Sequence, residues 1–222
     1  MMMNLFSVFD PVSYFMLSMK WVIMIMIIML VSLNYFMIKD EFNMMLLVFK
    51  CSINNIFYEI AKPNGYGLTF FIVSVFLYLA ISNLMGLFPY VFTSTAFLNI
   101  TLGMSLVMWL SFFIMGWVKN FYHSCAHLVP EGSPLMLAPI LVLIESVSHL
   151  IRPITLAVRL TANMMAGHLI IGLLSSISTL SFFSLLSSIF FQSFLLILEL
   201  GVAMIQGFVF SILLLLYALE YY

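Results

Sequence analysis

Six ionisable side chains stand within the last two apolar stretches of this chain: Glu145, His149, Arg152, Arg159, His168 and Glu199. Asn163, Gln192 and Gln206 add uncharged polarity among them, and Glu220 stands at the far end. Their types suit proton handling. Glu and His take up and release protons near neutral pH when burial or a partner shifts them. Arg does not, because its guanidinium stays protonated even when buried. Two titratable groups separated by a fixed cation amount to two half-paths with a barrier between them. A proton could use either path but could not pass Arg159 directly. Something mobile must carry it around, and a carboxylate on a neighbouring subunit would suit, ionised beside the guanidinium and neutral against lipid.

A simpler account has these residues as snorkelling ends and satisfied interhelical pairs. It suits Glu220 and Glu145. It fits Arg159 poorly, since apolar residues precede it and no acid lies within ten positions. The spacing adds a register test. Residues facing each other across an antiparallel hairpin keep a constant sum of residue numbers. Arg159 with Gln206 and Glu145 with Glu220 share one sum, and His168 with Glu199 lies two away from it. The three pairs therefore fall at three matched levels of one hairpin that turns near residue 182. A rise of 1.5 Å per residue puts about 35 Å between Glu145 and His168.

The elements that must carry these residues follow from composition. The chain has 222 residues, 65% of them hydrophobic and only 7% charged. An ordinary soluble domain is about 25% charged, and a soluble fold of this size could not hide so much apolar surface. Soluble enzyme, nucleic-acid binder and disordered chain are excluded. A net charge of −1 points to no polyanionic partner. Cys51 and Cys125 cannot build a disulfide framework. The composition predicts an all-α integral membrane protein. The N-terminus shows neither a cleavable signal nor a transit segment. Nineteen Met and two Arg fit a chain made inside an organelle.

A spanning helix needs about 20 mostly apolar residues. Such runs predict helices over 20–38, 67–88, 96–118, 135–175 and 183–220, within a single membrane domain covering 1–222. The last two exceed a perpendicular span and should be tilted. The hydroxyl-rich stretch 175–184 is where the turn is expected. Residues 41–61 read differently. Phe42, Met45, Leu46, Phe49, Ile53, Ile56 and Ile60 recur at helical spacing among Glu41, Lys50 and Glu59. This predicts a helix lying along the membrane surface, with Pro63, Asn64 and Gly65 as the turn that follows. Lys39, Lys50, Lys62 and Lys119 fall on one side of the membrane and Lys20 on the other. The positive-inside tendency then puts the N-terminus outside and the C-terminus inside.

One stretch carries a family resemblance. Leu156-Ala157-Val158-Arg159-Leu160-Thr161-Ala162-Asn163, running on to Ala166-Gly167-His168, resembles the signature of subunit a of F-type ATP synthases in its mitochondrial form. NLFSVFDP (Asn4 to Pro11) and LVPEGSP (Leu128 to Pro134) resemble arthropod members. The resemblance covers the whole chain. It implies one upright helix, a surface helix, a transmembrane hairpin, and a long, strongly tilted hairpin packed on a rotating c-ring. It implies that Arg159 is the essential arginine facing the ring carboxylate, with Asn163 and Gln206 beside it. His168 and Glu199 match the proton-access side facing the intermembrane space. Glu145 matches the acid of the matrix half-channel. Glu220 stands where relatives carry Asp, and His149, one turn after Glu145, could extend that path. The implied setting is the mitochondrial inner membrane, with the c-ring, the peripheral stalk and other F0 subunits as partners. No cofactor, nucleic acid or nucleotide is expected, and no GxxxxGK[ST] loop occurs.

Two other classes compete. A self-contained proton or cation transporter could use the same polar levels, but such proteins often carry internal repeats and none is visible. A haem-bearing subunit would need facing histidines. His149 and His168 lie on one helix, about 28 Å apart by helical rise. His123 and His127 have metal-ligand spacing but fall in an expected loop, 120–134, with no third ligand. Arg152 precedes Pro153, and a structural or headgroup role is expected for it.

Overall fold

The computed structural model describes residues 13–14, 17–18, 22, 25–27, 41–61, 66–88, 93–119, 121–129, 137–178 and 181–221. Near the N-terminus β1 (Ser13–Tyr14) pairs antiparallel with β2 (Leu17–Ser18). The other described elements are helical. They are α1 (Glu41–Ala61), α2 (Tyr66–Gly86), a buried 3-10 turn (Ser94–Ala96), α3 (Leu98–Lys119), α4 (Phe121–His127), α5 (Ala138–Ile177) and α6 (Phe182–Tyr221). Of the span expected at 20–38, Val22 and residues 25–27 are helical and the rest lies outside the described residues, as does the turn expected at 63–65. Helices dominate for a physical reason. In a bilayer every backbone N–H and C=O must be satisfied within the protein, which a helix achieves inside one segment. Five described helices are long and apolar enough to cross a membrane.

The centre of the packing is α2. Ile72, Val73, Val75, Phe76, Leu77, Leu79 and Ala80 are all buried, and an exposed stripe with Phe70, Phe71 and Ser74 is left on one side of its first half. It lies chiefly against α6, where Phe210, Leu214, Leu215 and Ala218 complete the core. The backbones come close at Gly207, where a Cβ atom would lie 3.5 Å from the Ala80 nitrogen. Small residues permit such approach, and membrane helices use it in place of a hydrophobic drive. Asn83, wholly buried, donates from Nδ2 to the Ala203 carbonyl at 3.2 Å. This bond ties α2 to the stretch of α6 between Glu199 and Gln206.

Helix α1 packs on α2 and touches α6. Its buried face is Ile53, Phe57 and Ala61. The apolar stripe expected from spacing is different. Met45, Phe49, Ile56 and Ile60 are exposed, and among its described members only Ile53 is buried. Phe57 decides the face, because its ring meets Phe76 at 6.3 Å and Phe208 at 5.9 Å. The loop expected at 120–134 also needs correction. It opens as helix α4, whose Ser124 donates to the Gly116 carbonyl at 3.1 Å and folds it back on the end of α3. The side chains of His123 and His127 lie outside the described residues.

The two longest helices, of 40 residues each, carry the chemistry. They pack against each other, and α3 packs against α5. The turn between them is short. Ser181 and Ser184 cap the start of α6 reciprocally: the Ser184 N–H donates to Ser181 Oγ at 3.2 Å and the Ser181 N–H to Ser184 Oγ at 2.9 Å. Pro153 is buried inside α5. It has no N–H, so the His149 carbonyl loses its helical donor between the Glu145 and Arg159 levels.

Candidate functional site

The site occupies three levels of the α5–α6 hairpin. At one end Glu145, Ser148, His149 and Arg152 share a face of α5, the last three standing three, four and seven residues after the acid. Glu145 Oε1 lies 3.4 Å from His149 Nε2 and 3.4 Å from Arg152 Nη2. Ser148 Oγ donates to the same oxygen at 3.2 Å. From α6, the Tyr217 ring lies 5.3 Å from the Arg152 guanidinium carbon, within cation–π range. Arg152 is therefore a partner of the acid, a contact that a structural role accommodates. Glu220 lies in α6, with its side chain outside the described residues.

Arg159 stands about 21 Å further along α5 by helical rise. It is exposed, on a face with Thr155, Val158, Ala162 and Asn163. Arg159 forms no ion pair with any described residue. A guanidinium among apolar helices is costly without a partner or water, and no described residue of the hairpin supplies an acid for it. Gln206 does not reach Arg159 as the register test expected. It accepts from Asn163 Nδ2 at 3.1 Å, one turn further on.

At the third level His168 Nε2 lies 3.9 Å from Glu199 Oε1. Among the described residues, His168 Nε2 and both Glu199 carboxyl oxygens are buried without a hydrogen-bond partner. Proteins rarely leave such groups unpaired, and the exceptions mark water, ions or function. A carboxyl and an imidazole this close can pass a proton once one water closes the gap. Gly167 makes the room, since any side chain there would strike the Glu199 carboxyl group. A cavity of about 200 Å³ opens beside it, lined by Asn163, Ala166, Gly167, Ile170, Leu195, Leu198, Glu199 and Val202. It runs from the Glu199 level toward Asn163, one turn from Arg159.

Comparison with known proteins gives the family. A family profile described as ATP synthase A chain matches residues 14–218. The chain belongs to the ATP synthase subunit a family. It is 42% identical over 222 residues to ATP synthase subunit a of Drosophila melanogaster, covering 99% of each chain. It is 43% identical over 225 residues to that of Locusta migratoria, covering all of both. The Anopheles gambiae protein is 41% identical over 224 residues. Family membership makes the chain a membrane subunit of the proton-translocating F0 sector, without a catalytic site of its own. Within the subunit a chain, sequence reasoning missed Tyr217, the Arg152–Glu145 pair and the gap at Gly167. The pair was legible as positions four and seven residues after an acid on one helix face. Tyr217 carried no signal, because aromatic residues make up 16% of the chain.

Proposed function

We propose that this chain is the stator half of a proton-driven rotary motor, and that Arg159 divides its two half-channels. The observation that carries the reading is an exposed guanidinium at membrane depth with no acid for it among the described residues of its own chain. A rotor carboxylate passing that face would supply the missing charge. Protons enter at Glu199 and His168, with Asn163 and Gln206 orienting water beside them, and load the c-ring carboxylate. After a turn through lipid they leave past Glu145, with His149 and Glu220 extending the path. Arg159 keeps the passing carboxylate ionised and blocks a direct leak. Each charge crossing the membrane gains about 2.3 kcal/mol per 100 mV, and the ring transmits that to ATP synthesis elsewhere in the complex.

The wider setting follows from the same reading. The chain sits in the mitochondrial inner membrane with its N-terminus toward the intermembrane space and its C-terminus toward the matrix. Residues 41–61 lie along the membrane surface. A 40-residue helix is about 60 Å long, twice the hydrocarbon thickness, so α5 and α6 are strongly tilted. Their exposed face, which includes Val158, Ile205, Leu198 and Phe194, packs on the c-ring. The peripheral stalk and other F0 subunits cover further surface.

Cross-linking tests the arrangement. Ala162→Cys, one turn from the guanidinium on its exposed face, should form a disulfide with a cysteine placed beside the rotor carboxylate, and the bond should stop rotation. Failure to cross-link in an active complex, while a cysteine on the opposite face does so, would contradict it.

A further inference from the structure

Helix α6 presents an unusual inward face before it reaches Glu199. Between Phe182 and Leu198 only Ser184, Ser188, Gln192 and Leu195 are not exposed. Their spacing of four, four and three residues continues to Glu199, so the five residues form one stripe. Three of its first four members are polar. Beyond Gln206 the same face turns largely apolar, with Phe210, Leu214, Leu215 and Ala218. We propose that Ser184, Ser188 and Gln192 form the water-bearing mouth through which protons reach Glu199. The proposal rests on reading His168 and Glu199 as the uptake level and names the residues that feed it.

The geometry is that of a short wire. Gln192 lies about 10 Å from Glu199 along the axis, Ser188 about 16 Å and Ser184 about 22 Å. Ser184, Ser188 and Gln192 are thus about 6 Å apart in succession, a gap that one or two waters bridge, and the step from Gln192 past Leu195 to Glu199 is about 10 Å and needs a longer file of water. Ser188 is 3% exposed, and its hydroxyl donates to the Leu185 carbonyl at 2.9 Å, which leaves the oxygen free to accept. The Gln192 amide, with two donors and an acceptor, makes no hydrogen bond to another described residue. The facing helix makes room. Counted back from the His168–Glu199 contact, Gly172 falls opposite Leu195, the one apolar member of the stripe, and Ser175 opposite Gln192.

Helix packing alone does not account for this. Serine is small enough to serve at a helix contact, but Gln192 is not. No Asp, Glu, Lys, Arg or His occurs in residues 169–177 or 182–198. His168 and Glu199 are therefore the titratable groups facing the stripe, which itself only holds water.

The test uses the assembled complex in sealed vesicles. Gln192→Leu keeps the volume and removes the amide, leaving an apolar constriction of the kind that dewets. Acid-driven ATP synthesis should fall and should depend more steeply on pH at the uptake side, with its dependence on the opposite pH unchanged. Gln192→Asn should retain more than half of the rate. Separately, Gln192→Cys in a Cys51→Ser, Cys125→Ser background should react with a water-soluble thiosulfonate faster than Phe191→Cys, which faces outward at the same depth. Normal synthesis by Gln192→Leu, an equal loss of both pH dependences, or no labelling of Gln192→Cys would overturn the proposal. If Gln192→Leu does not assemble, the labelling decides. Glu199→Gln separates the two levels of inference. Its loss of synthesis beside a normal Gln192→Leu would remove only the mouth, whereas normal synthesis by Glu199→Gln would remove the uptake reading itself.

Discussion

Asn163 donates to Gln206 across the α5–α6 interface at 3.1 Å, one turn from Arg159. This side-chain hydrogen bond joins the two helices between the Arg159 and Glu199 levels. It clasps them beside the cavity that Glu199 lines. Membrane interhelical bonds average about 0.6 kcal/mol and reach about 1.7. Asn163→Ala and Gln206→Ala should each lower coupled pumping several-fold, and the double variant should be little worse than the poorer single one. Additive losses in a double-mutant cycle would mean that the two amides act separately.

Gly167 gives a sharper steric test. A methyl group there meets the Glu199 carboxyl, whereas one at Gly103 meets nothing within 4 Å. Gly167→Ala should cut coupled flux at least about tenfold, because a misplacement of about 1 Å in proton-transfer geometry costs that much or more. Gly103→Ala should pump normally. Equal behaviour of the two variants would show that Glu199 has another place to go.

Phe57 anchors α1 without touching the site. Its ring is wholly buried and meets Phe76 and Phe208. Phe57→Ala should cost about 3 kcal/mol, the lower end for a buried aromatic. It should lower the thermal stability of the assembled complex while leaving pumping per intact complex unchanged. Ile56→Ala, at an exposed position, should cost far less. A larger loss from Ile56→Ala would mean that the outward face is the anchored one.

These cases show what the sequence made legible. Arg159, His168 and Glu199 stand out because an ionisable residue in an apolar run has few structural excuses. The His168–Glu199 level followed from the constant-sum rule. The same rule misplaced Gln206 by one turn, because a constant sum fixes only the level along the hairpin and not the side of the helix that a residue faces; Asn163, four residues after Arg159, meets Gln206 instead. Phe57 was not legible. In a chain that is 65% hydrophobic, periodicity cannot tell the face that packs on protein from the face left for lipid. Helix α4 was missed because Pro130, Gly132 and Pro134 made the whole stretch read as a loop, although those breakers lie beyond it.

Glu145 and Arg152 invite a paired test. The acid oxygen lies 3.4 Å from both His149 and Arg152. Glu145→Gln should slow coupled flux about a hundredfold, the lower end for losing a proton-transfer group, and the loss should track pH on the release side. Arg152→Gln should alter that pH profile while the dependence on uptake-side pH stays the same. Unchanged flux in Glu145→Gln would take this cluster out of the path.

The central claim is that Arg159 separates the two half-channels. Proton flux in vesicles containing the assembled complex tests it most directly, with Arg159→Gln set against the unmodified chain. ATP-driven pumping should vanish while a passive leak persists or grows. Coupled pumping at the normal rate, with normal assembly, would make the guanidinium structural and contradict the account.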